Sequence, residues 1–390
     1  MNYYQDLAPW TLNGEKVMVT EDNDHLGQIV SGIDQEQKNI DLRMQKARNA
    51  LYGLTGPVFS HKNLISPKLK YHLFHTYVLP VLKCGLSSFV LRKSHLNSLT
   101  TFHRKALRTI LSLNKCSNIP ALHCLLGELP IEGQIHNDVL SLFYNVWANP
   151  ETKVHHIVKQ LLGTSAQNSR TWAVHLKFLC KFYGLEDPLK CLNSDPPKKS
   201  HFKEIVKTKI TIHFEKLLRE MAANNSHMIY LNVSLLSLRG KPHPALSNIL
   251  TSHEVEKYRP HIKMLSGNYL TYEVKSSQSG GSPHCRACSA NSEDILHILT
   301  QCTAYKDIRN RIVNQMKSLL EEDNLLTSFA KIFETENHLC QFILDPTSLN
   351  LPIRVSQSDP ISEQLFKLSR DFCFAVHKSR WKILQEKNDS

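Results

Sequence analysis

No stretch of this 390-residue chain approaches the roughly eighteen consecutive apolar residues that a membrane helix needs, which excludes a bilayer-spanning segment of that kind. The opening Met1-Asn-Tyr-Tyr-Gln-Asp6 has neither a basic n-region nor an apolar h-region, so no secretory signal is expected there. The expectation is an intracellular protein, nuclear or cytoplasmic rather than secreted. There is no phosphate-cradling glycine loop ending in Gly-Lys-Ser/Thr, no Gly-x-Ser-x-Gly elbow and no His-Glu-x-x-His, which removes three large enzyme classes. Nor is there an Asp-Asp doublet anywhere in the chain. Two-metal nucleotidyl transfer needs clustered carboxylates to hold cations about 4 Å apart. The acids of the first thirty residues fall in turns, without a buried strand to position them. Asp345-Pro346 and Asp359-Pro360 lack the downstream acid and lysine of a restriction-like nuclease. No fixed-period repeat and no long low-complexity tract appears, so a solenoid is also excluded.

What the sequence does have is positive charge, unevenly spread. The net charge is +12 with a pI near 9.1. Residues 1–32 carry Asp6, Glu15, Glu21, Asp22 and Asp24 against Lys16 alone, whereas 33–130 carry fourteen Lys/Arg against four acids. A concentrated basic segment is what a polyanion-binding face requires; a solvated helix surface is the competing explanation. Ten cysteines in an intracellular chain argue against a disulfide scaffold. Seven of them (Cys84, Cys116, Cys124, Cys180, Cys191, Cys340 and Cys373) are scattered and read as small core hydrophobes.

Hydrophobic periodicity predicts a mainly α protein with a short N-terminal β-hairpin, a basic helical domain, a further helical bundle, a small zinc knuckle and C-terminal helices. Trp10 to Val19 reads as a hairpin turning at Asn13-Gly14, and Asp24 to Val30 as a further strand-like piece. Ile40, Met44, Ala47, Leu51 and Leu54 recur at helical spacing, up to a stop at Gly56-Pro57. A second helix is expected over Lys68–Leu79, with Leu69, Leu73, Tyr77 and Val78 inward and Pro80 ending it. A third, capped by Ser94, carries Leu96, Leu99, Phe102, Leu107 and Ile110. Helices follow over Ile119–Leu126 and Ile131–Trp147, then at 151–162, 170–183, 201–224 and 253–265. Ser276 to Pro283 reads as a flexible Gly/Ser linker and the clearest domain boundary. Beyond it, Tyr305, Ile308, Ile312, Met316 and Leu319 form one stripe, and a last helix spans Ser362 to Leu384. The divisions expected are 1–32, 33–130, 131–275, 276–304 and 305–390.

Three cysteines crowd between 285 and 302. Cys285-x2-Cys288-x8-His297-x4-Cys302 supplies three thiolates and an imidazole, the four ligands of a closed tetrahedral Zn2+ site. Four protein ligands leave no open position, so the zinc is expected to be structural. His297 belongs on a short helix. Five residues span about 140° of an ideal helix, so that helix should tighten or end before Cys302. Asp294 is either an acceptor for the His297 ring N–H or a charge at the helix N-terminus. His284 adjoins the knuckle, but His297 is the better ligand.

Phosphate-tracking cations are expected on two helices: Arg43, Lys46 and Arg48 on the first, and Arg92, Lys93, Arg104, Lys105 and Arg108 around the third, with His103 among them. Tyr52, Phe59 and Phe102 lie nearby, but each fits a core as well as it fits base stacking.

Taken in order, Trp10-Thr-Leu-Asn-Gly-Glu15, Asp24-His-Leu-Gly-Gln-Ile-Val-Ser31, Ala47-Arg-Asn-Ala-Leu-Tyr-Gly-Leu54 and Leu125-Leu-Gly-Glu-Leu-Pro-Ile131 resemble the C-terminal part of non-LTR (LINE-type) retrotransposon reverse transcriptase polyproteins. Trp10-Thr-Leu-Asn-Gly-Glu15 and Asp24-His-Leu-Gly-Gln-Ile-Val-Ser31 resemble the stretch after the catalytic palm. Ala47-Arg-Asn-Ala-Leu-Tyr-Gly-Leu54 looks like the first thumb helix. Tyr77-Val-Leu-Pro80, Leu82-Lys-Cys-Gly-Leu86 and Leu99 to Arg108 match the helices after it. Leu125-Leu-Gly-Glu-Leu-Pro-Ile131, Met264-Leu-Ser-Gly-Asn-Tyr269 ahead of the cysteines, and Leu344-Asp-Pro346 are similar to later elements. The resemblance implies a primer-grip-like hairpin at His25, Leu26 and Gly27. It implies a thumb over 33–115 holding RNA or an RNA/DNA hybrid, and a zinc-bearing tail. Fingers, most of the palm and the Tyr/Phe-x-Asp-Asp box have no counterpart, so the chain is expected to be catalytically incomplete. On this reading Met1 marks a truncated copy, an internal start or a gene model opened inside a degraded element. The alternatives are part of an active RNA-directed DNA polymerase that works with a palm or endonuclease supplied elsewhere, and a non-functional remnant.

Overall fold

In a computed structural model the described residues are 11–16, 20–54, 65–164, 169–225, 228–322, 330–349 and 360–386. Two antiparallel hairpins precede the helices: β1 (Thr11–Leu12) with β2 (Glu15–Lys16), and β3 (Asp22–His25) with β4 (Gln28–Ser31). Asn13 and Gly14 both have positive φ, 53° and 87°, as the two-residue turn that matches strand twist requires. Trp10 and residues 17–19 of that expected hairpin lie outside the described residues. The Asp24–Val30 piece is itself a hairpin, turning at Leu26 (φ 49°) and Gly27 (φ 76°) in register His25↔Gln28.

That second hairpin is tied to α1 (Gln35–Leu54). The Asn39 side chain copies a strand edge: its Nδ2 donates to Ile29 O at 2.7 Å and its Oδ1 accepts from Ile29 N at 2.9 Å. Lys38 reaches Asp22 at 2.6 Å. On the other side α1 buries Ile40, Met44, Ala47 and Leu51, the stripe that periodicity predicts. The Gly56-Pro57 stop and Phe59 lie outside the described residues.

The next helix departs from expectation. α2 (Pro67–Leu73) opens into a π turn (Phe74–Val78) and continues as α3 (Leu79–Lys83) straight past Pro80. Proline cannot donate the amide bond of a regular turn, and the widened turn absorbs that loss. The extra residue also rotates the inward face. Phe74, Val78, Leu79 and Leu82 are buried, whereas Leu69 and Tyr77 are exposed. α4 (Lys93–Leu111) buries Leu99, Phe102, Leu107 and Ile110 as expected. Its first turn is closed by the His95 ring accepting Arg92 N–H at 3.3 Å, not by Ser94.

α5 (Ile119–Leu126) and α6 (Ile131–Trp147) both pack on α4 and on α10 (Lys199–Ala223). The division expected at 130 therefore opens no gap in the core. α7 (Lys153–Thr164), α8 (Trp172–Phe182) and the short α9 (Pro188–Cys191) cover the outer side of α6. Among the described residues α11 (Ser252–Leu265), α12 (Tyr272–Ser279), α13 (Lys306–Glu322), α14 (Glu336–Leu344) and α15 (Pro360–Glu386) follow. The protein is mainly α. Ser276–Ser279 form the last turn of α12, so only Gly280 to Pro283 serve as a connector. α15 packs along α11, joining segments on either side of the expected linker. Five of the scattered cysteines are buried; Cys84 and Cys116 are exposed, because each falls in the turn that follows a helix.

Candidate metal centre and nucleic-acid face

Backbone bonds fold the knuckle. Glu293 N–H donates to Pro283 O (2.9 Å), Cys285 N–H to Ala290 O (2.9 Å) and Ser289 N–H to Cys285 O (2.7 Å). Opposite it, a helix begins at Ile295 with the Asp294 carboxylate accepting His297 N–H at 2.6 Å. Asp294 is therefore bonded to the helix N-terminus. The helix then widens rather than tightens: His297–Gln301 form a π turn closed by Cys302 N–H to His297 O at 2.7 Å. An i→i+5 ring adds a residue to the turn, which swings Cys302 round beneath His297. The helix ends there.

Cys285, Cys288, His297 and Cys302 thus converge, and one ligand atom from each lies within 4.8 Å of the others. Cys285 Sγ is 3.9 Å from Cys302 Sγ, and Cys288 Sγ is 3.3 Å from His297 Nε2. Tetrahedral zinc with ordinary bond lengths would set these separations at about 3.8 and 3.6 Å. The donor set fits a tetrahedral cation, and the quartet could hold a metal ion. The bond from Cys302 and the N–H groups of Cys288 and Ala287 hold the Cys285 thiol well below the usual thiol range despite its burial; the same contact raises Cys302. Binding a cation there would require the thiols to give up their protons.

Around the quartet, Arg380 of α15 pairs with buried Glu293 at 2.5 Å and lies over the rings of Tyr269 (5.5 Å) and Tyr272 (5.6 Å). Arg309 of α13 donates to Cys302 O at 3.1 Å. The knuckle is therefore fastened to the C-terminal helices by residues that no local spacing could reveal.

The eight expected phosphate contacts do not form one surface. Arg43 is buried, and its Nη2 donates to Gly27 O at 2.5 Å, so it anchors the hairpin instead of facing solvent. Its position on the wheel beside Met44 explains the difference. Lys46 is exposed on α1. Arg48 of α1 and Lys105 of α4 share a groove of about 450 Å3, with Tyr52 61% exposed at its wall and Phe102 in the core beneath. Lys93 and Arg104 line a second groove, of about 300 Å3, on the other side of α4. Arg92 stands apart, beside the Ser31–Glu36 turn. Arg108 donates to Ser117 O at 3.1 Å. His103 is buried. Asn97 and Thr101 line both grooves and, with Ser98, form an exposed polar crest along α4. His25 and Leu26 are exposed at the hairpin tip, Leu26 by 90%.

Sequence reading missed a buried polar node at Glu128. Its carboxylate accepts from Tyr71 (2.5 Å) and Gln134 (2.6 Å) and meets His75 (2.8 Å) and His103 (3.2 Å). The His123 ring bonds its backbone carbonyl at 2.6 Å. Against burial, which would raise it, His103 and His75 hold the Glu128 carboxyl well below the usual range. Beside it, Gly127 lets the Lys241 backbone pack close: it has φ 64°, and a Cβ there would stand 2.3 Å from Lys241 O. The one available signal was an acid set inside the apolar Leu125–Ile131 run. Asp345, of the Leu-Asp-Pro element, is similarly interior, bonded by Asn232 N–H (2.8 Å) and 3.4 Å from His243.

Comparison with protein-family profiles, with curated proteins and with solved structures returns no match for this chain. The likeness to non-LTR elements therefore rests on the ordered sequence segments alone.

Proposed function

We propose that the protein grips an RNA or RNA/DNA duplex along α4, and that its cysteine quartet carries a structural zinc ion. The observation that carries the first part is the polar crest of Asn97, Ser98 and Thr101, flanked by grooves bearing Arg48 and Lys105 on one side and Lys93 and Arg104 on the other. Two phosphate backbones need cations on both sides of a ridge, and hydroxyl and amide groups at the crest suit ribose and base edges. The three thiols and one imidazole favour zinc over harder cations, and four protein ligands leave no position for substrate.

This reading agrees with the thumb and tail of a non-LTR reverse transcriptase that lacks its catalytic centre. The His25–Gly27 tip, fastened by Arg43, takes the place of the primer grip. No nucleotidyl transfer is assigned to the chain by itself, since no Asp-Asp pair is present to hold two metals.

Charge reversal tests the duplex grip. Arg48→Glu with Lys105→Glu should weaken binding of an RNA/DNA hybrid by roughly tenfold or more at low salt, and Lys93→Glu by several-fold, with thermal stability unchanged. Parental affinity in both variants, measured by fluorescence anisotropy, would remove α4 from the interface.

A further inference from the structure

The outer face of α8 carries a second feature of a different kind. His175, Phe178 and Phe182 follow one another at spacings of three and four with nearly parallel rings. The first two centroids are 6.4 Å apart at 19°, and the two phenylalanines 5.6 Å apart at 26°. His213 of α10 meets Phe182 edge-on at 4.7 Å. Core packing does not place the two phenylalanines, whereas His175 is half-buried against His136. α8 buries Ala173, Leu176, Leu179 and Cys180, while Phe178 and Phe182 remain 56% and 47% exposed. A stack of rings held in water at that exposure is a surface built for contact.

Its charges indicate what it contacts. Lys177 and Lys181 each directly precede one of the phenylalanines, and Lys209 and Lys216 lie on α10 to either side of His213. Lys209 also donates to the Gly184 carbonyl at 2.6 Å, which fixes an ammonium group just past Phe182, whereas Lys177 turns to the Leu162 carbonyl of α7 at 2.5 Å. The acids Glu186 and Asp187 follow the row, with Asp187 bonded to the α9 N-terminus; Glu132 interacts with His213, and Glu220 lies 4.0 Å from Lys216. Lysine is depleted from protein–protein interfaces. Surfaces for single strands instead combine cations along a backbone path with ring faces for the bases.

We infer that the α8 face, with His213 and the lysines of α10, is a stacking platform for single-stranded nucleic acid, separate from the duplex grip along α4. It does not depend on that grip. The row offers ring faces in succession and no fixed set of hydrogen-bonding groups, so it should accept any base sequence and favour bases that stack well.

The test uses the full chain and a short fluorescent oligoadenylate. Phe178→Ala with Phe182→Ala should weaken its binding by roughly tenfold or more, and tyrosine at both positions should restore it. Hybrid-duplex binding and thermal stability should stay at parental values in both variants, because neither ring supports the core. Crosslinking of an oligouridylate should label the 172–183 peptide. Undiminished oligoadenylate affinity in the alanine variant would overturn the platform. So would a parental dimer in sedimentation that the alanine variant dissolves, since the face would then belong to a second copy of the chain.

Discussion

Stripping the metal, or replacing Cys302 by Ser, should unfold the knuckle and lower the melting temperature by on the order of 10 °C or more. The size follows from what the quartet holds. Apparent zinc-binding energies in small fingers are about 10–16 kcal/mol, as large as the whole stability of a typical domain. The same segment buries Ile298, Leu299 and Tyr305 and holds Glu293 against Arg380. Without the ion, Cys285 and Cys302 remain as two buried sulfurs, and the Glu293–Arg380 pair loses the loop that positions it. Hydrogen exchange should therefore rise across 285–305 and along α15 while 35–147 stays protected. Native mass spectrometry should find one zinc per chain, lost in Cys285→Ser. An identical mass with and without a strong chelator would contradict the site.

Acid should unfold the protein at an unusually high pH. Burial holds His123 and His136 near 3 and His261 near 4; His103 adds to it for His123, and His175 for His136. Each is neutral in the fold, whereas its unfolded counterpart gains a proton as pH falls below 6.5. Their contribution is thus fully present above pH 6.5 and declines as pH falls towards the folded values. Each proton is worth about 1.4 kcal/mol per pH unit, so the three together cost roughly 4 kcal/mol per unit. Glu128 adds nothing in this window. Its depressed carboxyl keeps its contribution above the ordinary carboxylate range and loses it only further into acid. A domain at the low end of ordinary stability, about 6 kcal/mol, should pass its midpoint near pH 5, and one of about 10 kcal/mol near pH 4. Urea titrations at successive pH values measure the slope, with metal content followed in the same samples because acid would also release an ion held by the thiols. His136→Gln, which removes the ring bonded to Tyr183, should reduce the slope by about one proton. Stability that is flat from pH 6.5 to 5 would refute this account.

How far these features were legible in the sequence depends on how local their causes are. The α5 and α6 boundaries follow from Pro at the second position of one helix and Gly127 and Pro130 between them, all within a few residues. The four ligands were legible for the same reason, since their spacing alone brings them near one another. The π turns were not. At Phe74–Val78 and His297–Gln301 the chain departs from the 3.6-residue period, so a wheel drawn at that period placed Leu69 and Tyr77 inside and predicted tightening before Cys302. Arg43 reads as solvent-facing until the Leu26–Gly27 tip is folded back onto α1. The Glu128 node joins Tyr71, His75 and His103 across long separations, and only packing of their helices against the Glu128 turn brings them together.

Binding of a short RNA/DNA hybrid by the parental protein across a potassium chloride series tests the duplex grip most directly. With Arg48, Lys105, Lys93 and Arg104 each neutralising a phosphate, the logarithm of the affinity should fall with the logarithm of salt at a slope of about −3 to −4. Arg48→Glu with Lys105→Glu should flatten that slope by about two. No binding at the lowest salt, or a slope near zero, would contradict the proposed duplex grip.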